Sequence, residues 1–403
     1  MRKKITIDQL QPGMFIHDLG ADWFSHPFLR HRFAVKSDAD VVKIRESGIR
    51  ELYIDVERGV DITDAPTERE VQAAVEAEIR EVANEKPDVQ APVSSSEEMG
   101  RAKFIHRDAM DIVRGVMHDV RLGAQANVRA LEPVVERMTH SILRNSSALL
   151  SLCMLKDADN YTFQHSVSVS ALMITFCRSL DMKPEQIREA GLGAMLHDVG
   201  KMKTPLDVLN KPGRLTDEEF AIMRRHPVDG YELLVAQGGL SETALHITRQ
   251  HHERMDGSGY PDKLPGDQID FYARMAAIVD VYDAISSERC YHKGMPPSEA
   301  LRKLFEWSKF HFDMDLVKRF VHCIGIYPAG SLVMLESGRL AIVTEQNEAQ
   351  LLKPKVRVIY DTRRMEYLRP TDLDLSRGGR RHADTIASFE SPERWKIDLS
   401  VFL

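Results

Sequence analysis

The stretch Leu196-His197-Asp198-Val199-Gly200-Lys201 decides how the middle of this chain is interpreted. A histidine and an aspartate stand side by side at the end of an apolar segment that begins at Ala190. Ionisable side chains are seldom buried unless they are paired or bind a metal. The pair therefore predicts one shared metal site, with the carboxylate free to bridge to a second ion. Gly200 and Lys201 are expected to end the helix and to place a cation beside it.

Around this pair, apolar residues recur at intervals of three and four from about 101 to 325, which predicts a mainly α-helical bundle. A capping signature at Thr216-Asp-Glu-Glu starts one helix, which is expected to run to about Gln237. The predicted helices span 104–120, 127–155, 162–180, 185–197, 216–237, 241–250, 271–286, 297–308 and 313–324. A bundle of this size buries a large core and leaves room for polar groups inside it.

The segments before the bundle have other patterns. Residues 1–60 predict a small α+β regulatory module, with a helix that Ser37 caps and that runs to Glu46. Its predicted strands lie at 5–10, 28–35 and 52–56. Residues 61–100 predict an acidic linker, because they hold eleven acidic and three basic residues, a net charge of −8.

After residue 325 the spacing of apolar residues along the sequence changes. Residues 326–403 predict a β-rich extension, with strands near 331–335, 340–344 and 355–360. Ser337-Gly338 is expected to form a hairpin turn between the first two. A basic patch at 377–381 is more typical of a solvated loop than of a nucleic-acid site.

Charge and composition exclude several classes of protein. The 403 residues carry a net charge of −7, which the linker accounts for, so there is no general attraction to nucleic acid. Four cysteines without Cys-x-x-Cys spacing favour a reducing compartment over a disulfide framework or a thiolate zinc site. The sequence shows no signal peptide and no run of the ~18 apolar residues that a membrane span needs. We therefore expect a cytoplasmic protein that binds neither nucleic acid nor membrane.

Five histidines and two aspartates in the bundle are candidates for one metal cluster. Each has an ordinary interpretation when taken alone, such as a hydrogen-bonded core histidine or a buried ion pair. Burial of all seven side chains without a common partner would cost on the order of several kcal/mol for each side chain. The candidates are His165, His197, Asp198, His226, His251, His252 and Asp280. Seven such ligands suit two ions of iron, manganese, nickel or zinc that share Asp198, and paired metals bridged by hydroxide suit in-line attack on a phosphodiester.

The stretch His251-His-Glu-Arg-Met-Asp-Gly-Ser-Gly-Tyr-Pro261, together with His197 to Lys201, closely resembles the HD-GYP phosphodiesterases of the HD superfamily. Members of that family hydrolyse cyclic di-GMP in bacteria. The resemblance covers about 101–325 and implies a helical HD-type catalytic domain. Residues 1–60 also resemble a module of unassigned function that often precedes this domain.

The resemblance implies that the same seven residues are the metal ligands and that Asp198 bridges two ions. Some family members have a glutamate four residues before the first histidine, where it helps to hold a third metal. Tyr161 stands there in this chain, which implies two metals rather than three. Glu253 has two equally weighted interpretations, which are orientation of a ligating histidine or an ion pair with a base such as Arg254.

For substrate contacts, the resemblance implies Lys201, the Gly259-Tyr260 loop and Arg289. Lys201 can meet a phosphate oxygen as a point charge, and glycines let the backbone approach a ligand closely. The family usually has a proline after the arginine, where this chain has Cys290.

The expected function is hydrolysis of cyclic di-GMP to linear pGpG, with GMP as a further candidate product. His197, Asp198 and Lys201 are the predicted catalytic residues. The same chemistry with a preference for pGpG or cyclic GMP-AMP is one alternative, and a nucleotide phosphohydrolase of the wider HD superfamily is another. A third is a non-catalytic protein that binds a dinucleotide and signals through 1–60 or the linker. The expected partners are the dinucleotide and, through the N-terminal module, a second copy or a signalling protein.

Overall fold

The computed structural model describes residues 2–19, 32–74, 94–124, 127–155, 161–211, 213, 215–287, 294–347, 350–377 and 384–402. Predictions for Arg289 and Cys290, for 75–93 of the linker and for 378–381 of the basic patch lie outside these residues. So does the side chain of Tyr161, although its backbone begins a helix. The division of the chain at 60, 100 and 325 stays a prediction.

The N-terminal unit is an antiparallel sheet with one helix packed against it. Its strands are β1 (Arg2–Thr6), β2 (Phe15–Asp18), β3 (Phe33–Ala34) and β4 (Glu51–Asp55), in the order β1-β4-β2-β3. Helix α1 (Asp38–Glu46) begins after Ser37, whose hydroxyl accepts the Asp40 backbone N–H as predicted. Ile5, Ile44 and Leu52 are buried in the core between helix and sheet. The first predicted strand is shorter than expected, because residues 7–9 turn into a 3₁₀ helix.

Helices account for most of the central region, as predicted. They are α2 (Ser95–Arg121), α3 (Glu132–Arg144), α4 (Ser146–Cys153), α5 (Tyr161–Ser179), α6 (Pro184–Leu196), α7 (Leu206–Leu209), α8 (Asp217–Met223), α9 (His226–Gln237), α10 (Glu242–Gln250), α11 (Phe271–Ser286), α12 (Pro297–Trp307) and α13 (Met314–Ile324). Most belong to one apolar core, in which α5 and α6 pack side by side. No described helix is long and apolar enough to cross a membrane.

Two predicted long helices are broken in the structure. The stretch 127–155 divides at Asn145, which has an extended backbone and accepts the Ala148 N–H with its side chain, so that it starts α4. The stretch 216–237 divides at Arg224 and Arg225 into α8 and α9. Pro227 explains the second break, because a proline in a continuous helix would clash with the carbonyl four residues earlier and donate no hydrogen bond.

The helix α6 also ends earlier than predicted. It stops at Leu196, and a 3₁₀ turn at Val199–Lys203 carries Gly200 and Lys201. A Cβ at Gly200 would lie 2.0 Å from the His226 carbonyl oxygen. Glycine is therefore needed here for close packing of the turn on α9, and it does not act as a left-handed helix cap.

The C-terminal unit is a five-stranded antiparallel sheet. Its strands are β5 (Leu332–Leu335), β6 (Arg339–Glu345), β7 (Lys355–Asp361), β8 (Glu366–Asp374) and β9 (Ile386–Phe389), in the order β8-β7-β6-β5-β9, followed by α14 (Pro392–Trp395). The three predicted strands and the hairpin turn, where Gly338 has φ 80°, are confirmed. The mainly α fold with a small N-terminal α+β unit and a β-rich C-terminal unit is therefore confirmed.

Candidate active site

Three of the seven candidate ligands lie within three residues of the end of a helix. His197 follows α6, His226 follows α8 by three residues, and His251 follows α10. The last carbonyls of a helix have no partner within it, so a ring N–H can cap them. Nδ1 of each histidine lies 2.7–3.0 Å from a carbonyl oxygen three residues earlier, belonging to Ala194, Met223 and Thr248 in turn. A carbonyl only accepts, so each Nδ1 donates, and the Nε2 of each ring keeps a lone pair when the ring is neutral.

His226 was predicted at a helix interior, and that prediction is wrong. It is the first residue of α9, and the break before it lets its ring reach the Met223 carbonyl. Pro227 was the available sequence signal for this break.

The fourth histidine, His165 on α5, is held by two carboxylates of α11. Its Nδ1 lies 2.7 Å from Asp283 Oδ2 and its Nε2 lies 3.0 Å from Asp280 Oδ1. Asp280 and Asp283 are one helical turn apart, so they present their carboxylates on the same face. All three side chains are buried. Asp283 was not among the predicted site residues.

Asp198 lies between two groups of candidate ligands. Its Oδ2 is 3.6 Å from His165 Nε2 and 3.4 Å from His197 Nε2, whereas its Oδ1 is 3.3 Å from His226 Nε2 and 3.9 Å from His251 Nε2. Two groups of three have ligand atoms within 4.8 Å of one another, namely His165, His197 and Asp280 on one side and His226, His251 and His252 on the other. A third group, His197, Asp198 and His251, meets the same criterion and connects the two. The structure thus brings all seven predicted residues together.

The distances between the ligand atoms fit coordination of metal ions better than hydrogen bonds between the side chains. His226 Nε2 and His251 Nε2 are 3.3 Å apart, although each carries a lone pair. Nitrogens bound to one ion at about 2.1 Å are separated by about 3.0–3.4 Å, so a shared cation accounts for this contact. Two buried acceptors, His197 Nε2 and Asp198 Oδ1, receive no hydrogen bond from any described residue. Buried acceptors of this kind are rare without an unseen partner such as an ion.

Burial and neighbouring charges lower the pKa of three histidines of the cluster and raise that of a fourth. Burial, followed by the charge of Lys201, lowers the pKa of His226 to about 3, and burial with the charge of His197 lowers that of His251 to about 4. Burial also places the pKa of His252 well below its usual value. These imidazoles are therefore neutral, which is the form that binds metal. Burial opposes protonation of His197 as well, but the carboxylates of Asp198 and Asp280 raise its pKa to about 10, so they favour a positive charge at its Nε2, which a proton or a metal ion can supply.

Lys201 supplies the cation beside the cluster, as predicted. Its Nζ lies 2.6 Å from Asp198 Oδ2. Arg121 at the end of α2 donates to the carbonyls of Lys201, at 3.2 Å, and Thr204, at 2.5 Å. This arginine fixes the 3₁₀ turn that carries the lysine, and nothing in the sequence pattern marked it.

The predicted Gly259-Tyr260 loop closes over the ligand group of His226, His251 and His252. The Tyr260 ring centroid is 4.7 Å from that of His252, and the Arg224 guanidinium lies 4.4 Å from the same ring. A Cβ at Gly259 would lie 2.5 Å from the Arg254 nitrogen, so only glycine fits this approach to the backbone. Arg224 was not predicted as part of the site.

Glu253 holds this loop, and neither interpretation offered from the sequence describes its contacts. Its carboxylate accepts the backbone N–H groups of Asp262 at 2.7 Å and Leu264 at 3.0 Å. The side chain is buried, and burial raises its pKa. Its described contacts thus fix the loop backbone after Tyr260.

Comparison with known proteins identifies the family of the chain. Family models described as "HD domain" and "Domain of unknown function (DUF3391)" match residues 150–316 and 2–131. "Cyclic di-GMP phosphodiesterase PA4108" of Pseudomonas aeruginosa is 42% identical over 98% of this chain and 94% of its own length. "Cyclic di-GMP phosphodiesterase response regulator RpfG" of Xanthomonas campestris is 36% identical over 45% of this chain and 47% of its own length. "3'3'-cGAMP-specific phosphodiesterase 1" of Vibrio cholerae is 35% identical over 39% and 36%. The chain therefore belongs to the HD-GYP family of cyclic di-GMP phosphodiesterases.

Proposed function

We propose that this protein hydrolyses cyclic di-GMP to linear pGpG and that GMP is a further product. The observation that carries the proposal is the position of the Asp198 carboxylate, with one oxygen toward His165 and His197 and the other toward His226 and His251. A carboxylate so placed suits a bridge between two ions, and two-metal sites are typical of phosphodiester hydrolysis. The relative with 42% identity, which is named a cyclic di-GMP phosphodiesterase, supports the choice of substrate.

We propose two divalent ions, held by the two groups of three ligands with Asp198 between them. Imidazole and carboxylate without thiolate favour iron or manganese, and nickel or zinc also suits such a set. When bound, the ions would lower the pKa of a shared water to supply a hydroxide nucleophile, and would neutralise phosphoryl charge. Replacement of the expected glutamate by Tyr161 supports a count of two.

The remaining residues have positioning and electrostatic roles. Asp283 and the three carbonyls that accept from Nδ1 keep four of the imidazoles, those of His165, His197, His226 and His251, in the tautomer that directs Nε2 to the centre. Lys201 faces the same centre and would stabilise a phosphoryl oxygen of the substrate. Tyr260 and Gly259 would contact the substrate, as would Arg289. The water oxygen adds to phosphorus, the bond from phosphorus to the 3′ oxygen breaks, and that oxygen takes a proton.

A second candidate substrate is cyclic GMP-AMP. A relative named as specific for 3'3'-cGAMP is 35% identical over 39% of this chain. The metal centre acts on the phosphodiester in either molecule, so it does not select between the bases. The linear dinucleotide pGpG is the third substrate to compare. A non-catalytic role is disfavoured, because the structure keeps all seven candidate ligands in contact distance.

The test is a direct comparison of substrates. Protein purified without oxygen and supplied with iron or manganese is incubated with cyclic di-GMP, pGpG and cyclic GMP-AMP, and each product is followed by chromatography. We expect the highest kcat/KM with cyclic di-GMP. Faster turnover of cyclic GMP-AMP would support the second candidate, and no turnover of any of them in metal-loaded protein would overturn the proposal. The predicted cytoplasmic location and homodimer stay predictions.

A further inference from the structure

The N-terminal unit reaches the loop that closes over the candidate metal centre. Arg50, just before β4, places its Nε 2.8 Å from Asp256 Oδ2. The Asp256 side chain is only 8% exposed, so the charge of Arg50 faces a largely desolvated carboxylate. The Arg50 guanidinium also lies 5.5 Å from the ring centroid of Phe310. The Arg50 side chain is 49% exposed, whereas loss of Arg50 would take a charged partner from a carboxylate that is largely removed from water.

The other oxygen of Asp256 organises the loop itself. Asp256 Oδ1 accepts the backbone N–H of Ser258 at 2.9 Å. Gly48 of the N-terminal unit, with φ 81°, packs against the same serine, because a Cβ at Gly48 would lie 3.1 Å from Ser258 Cβ. Two residues of the N-terminal unit thus meet the loop, one through a charge and one through backbone packing.

From Ser258 the contacts continue to a candidate metal ligand. Tyr260 donates its backbone N–H to the His252 carbonyl at 3.1 Å, and its ring packs on the His252 ring. A cleft of about 430 Å³ runs beside this loop, and its opposite wall is the end of α1, with Lys43 and Gly48. Contacts that begin at Arg50 therefore reach the residues beside Tyr260, whose ring Arg224 also contacts.

We propose that Arg50 is a positioning residue for the reaction, and that the N-terminal unit holds the Gly257–Tyr260 loop in its substrate-binding position. This inference rests on the proposed function. Arg50 lies in the segment 2–131, which matches the family model described as a domain of unknown function. The inference gives this segment a role in supporting the substrate site. Arg50 touches neither the candidate ligands nor the reacting atoms, so its effect passes through Asp256 and the loop.

Other contacts attach the unit to the bundle without touching the loop. Tyr53 donates its hydroxyl to Glu306 at 3.1 Å, and Lys303 donates to Asp18 at 2.8 Å. Loss of Arg50 should therefore loosen the loop while the unit stays attached. This separates a positioning role from a general role in attachment.

The test uses the full chain and four variants. Arg50→Ala removes the contact, Arg50→Lys keeps a cation that can reach Asp256, and Tyr53→Phe weakens attachment away from the loop. Arg45→Ala is the matched control, because Arg45 lies in the same unit and forms an exposed ion pair with Asp8. Hydrogen exchange of peptides covering 254–262 and the kinetics with cyclic di-GMP are measured for each.

For Arg50→Ala we expect exchange at Ser258 and Tyr260 to be about tenfold faster and KM about tenfold higher, with kcat changed less and metal content unchanged. Arg50→Lys should restore part of both, and the two control variants should match the wild type. The inference is overturned if Arg50→Ala exchanges and reacts as the wild type does, or if Tyr53→Phe has the same effects. Absence of turnover in the wild type would count against the proposed function alone, because the exchange measurement still tests the loop.

Discussion

His165 donates its Nδ1–H to Asp283 across 2.7 Å, and both side chains are buried between α5 and α11. The same imidazole directs Nε2 toward Asp280 and Asp198. A carboxylate behind a histidine fixes the tautomer and makes the ring a better ligand. Asp283 is therefore expected to act on the metal centre without touching an ion.

Replacing Asp283 tests this relationship. Asp283→Ala should weaken metal binding about 10- to 100-fold, and Asp283→Asn should weaken it less, because the amide oxygen still accepts from Nδ1. Competition with a chelator measures the affinity. Asp111→Ala, which removes an exposed carboxylate of α2, is the control. Unchanged affinity in Asp283→Ala would contradict the role.

The Gly259 position makes a steric prediction. Gly259→Ala places a methyl group 2.5 Å from the Arg254 nitrogen and the Glu253 Cα, so the backbone of the loop must move. A displacement of about 1 Å in a positioning group can cost about 100-fold in rate, and we expect a loss of kcat/KM of that order with metal retained. Gly115→Ala is the control, since a Cβ there meets nothing within 4 Å. A variant at 259 as active as that control would contradict the packing.

The charge of Lys201 is expected to matter for turnover more than for metal binding. Lys201→Met keeps the length of the side chain, and it should lower kcat about 100-fold while the metal content stays at the wild-type value. Lys203→Met, on the exposed side of the same turn, should match the wild type. Metal loss in the Lys201 variant would show that the lysine acts on the ligand Asp198 and would refute its proposed contact with substrate.

A buried ion pair outside the site gives a pH-dependent stability. Glu98 on α2 accepts from Arg144 Nε and Nη2 at 2.8 and 2.7 Å and from Ser141 at 2.9 Å. Burial opposes ionisation, but the hydrogen bonds and charge of Arg144 and the hydrogen bond from Ser141 hold the pKa of Glu98 below its usual 4.5. Because the pKa of Glu98 is lower in the folded state than in the unfolded state, ionised Glu98 stabilises the fold at pH values above its unfolded-state pKa. This contribution is lost as the pH falls through the folded-state pKa.

Arg144→Ala should therefore lower the free energy of unfolding at pH 7 by about 2 kcal/mol, since it leaves the buried carboxylate with Ser141 and the exposed Arg101 as its remaining described partners. The deficit relative to the wild type should shrink as the pH falls below about 4.5, which urea titrations at several pH values measure. Arg114→Ala removes an exposed pair of α2 and is the control. A deficit that is constant from pH 7 to pH 3 would contradict this assignment.

The sequence was sufficient for the features that depend on local pattern. Periodicity predicted the helices, and residue type with spacing predicted all seven residues that the structure brings together. Asp283 was missed although it lies one turn after Asp280, because a single acidic residue has no distinctive pattern. Arg121 was not predictable, since it contacts Lys201 from 80 positions away. The strand β8 was missed because most of its residues are exposed, so it lacks the alternation that marks a half-buried strand.

The central claim is that Asp198 joins two ligand groups into a two-metal site that hydrolyses a cyclic dinucleotide. The most direct measurement is the number of metal ions per chain, by elemental analysis of protein purified without oxygen, together with cyclic di-GMP turnover of the same sample. We predict two ions and turnover for the wild type, and loss of turnover with the helical fold retained in the His197→Ala, Asp198→Ala double variant. Full activity with one ion per chain, or turnover by the double variant, would contradict the claim.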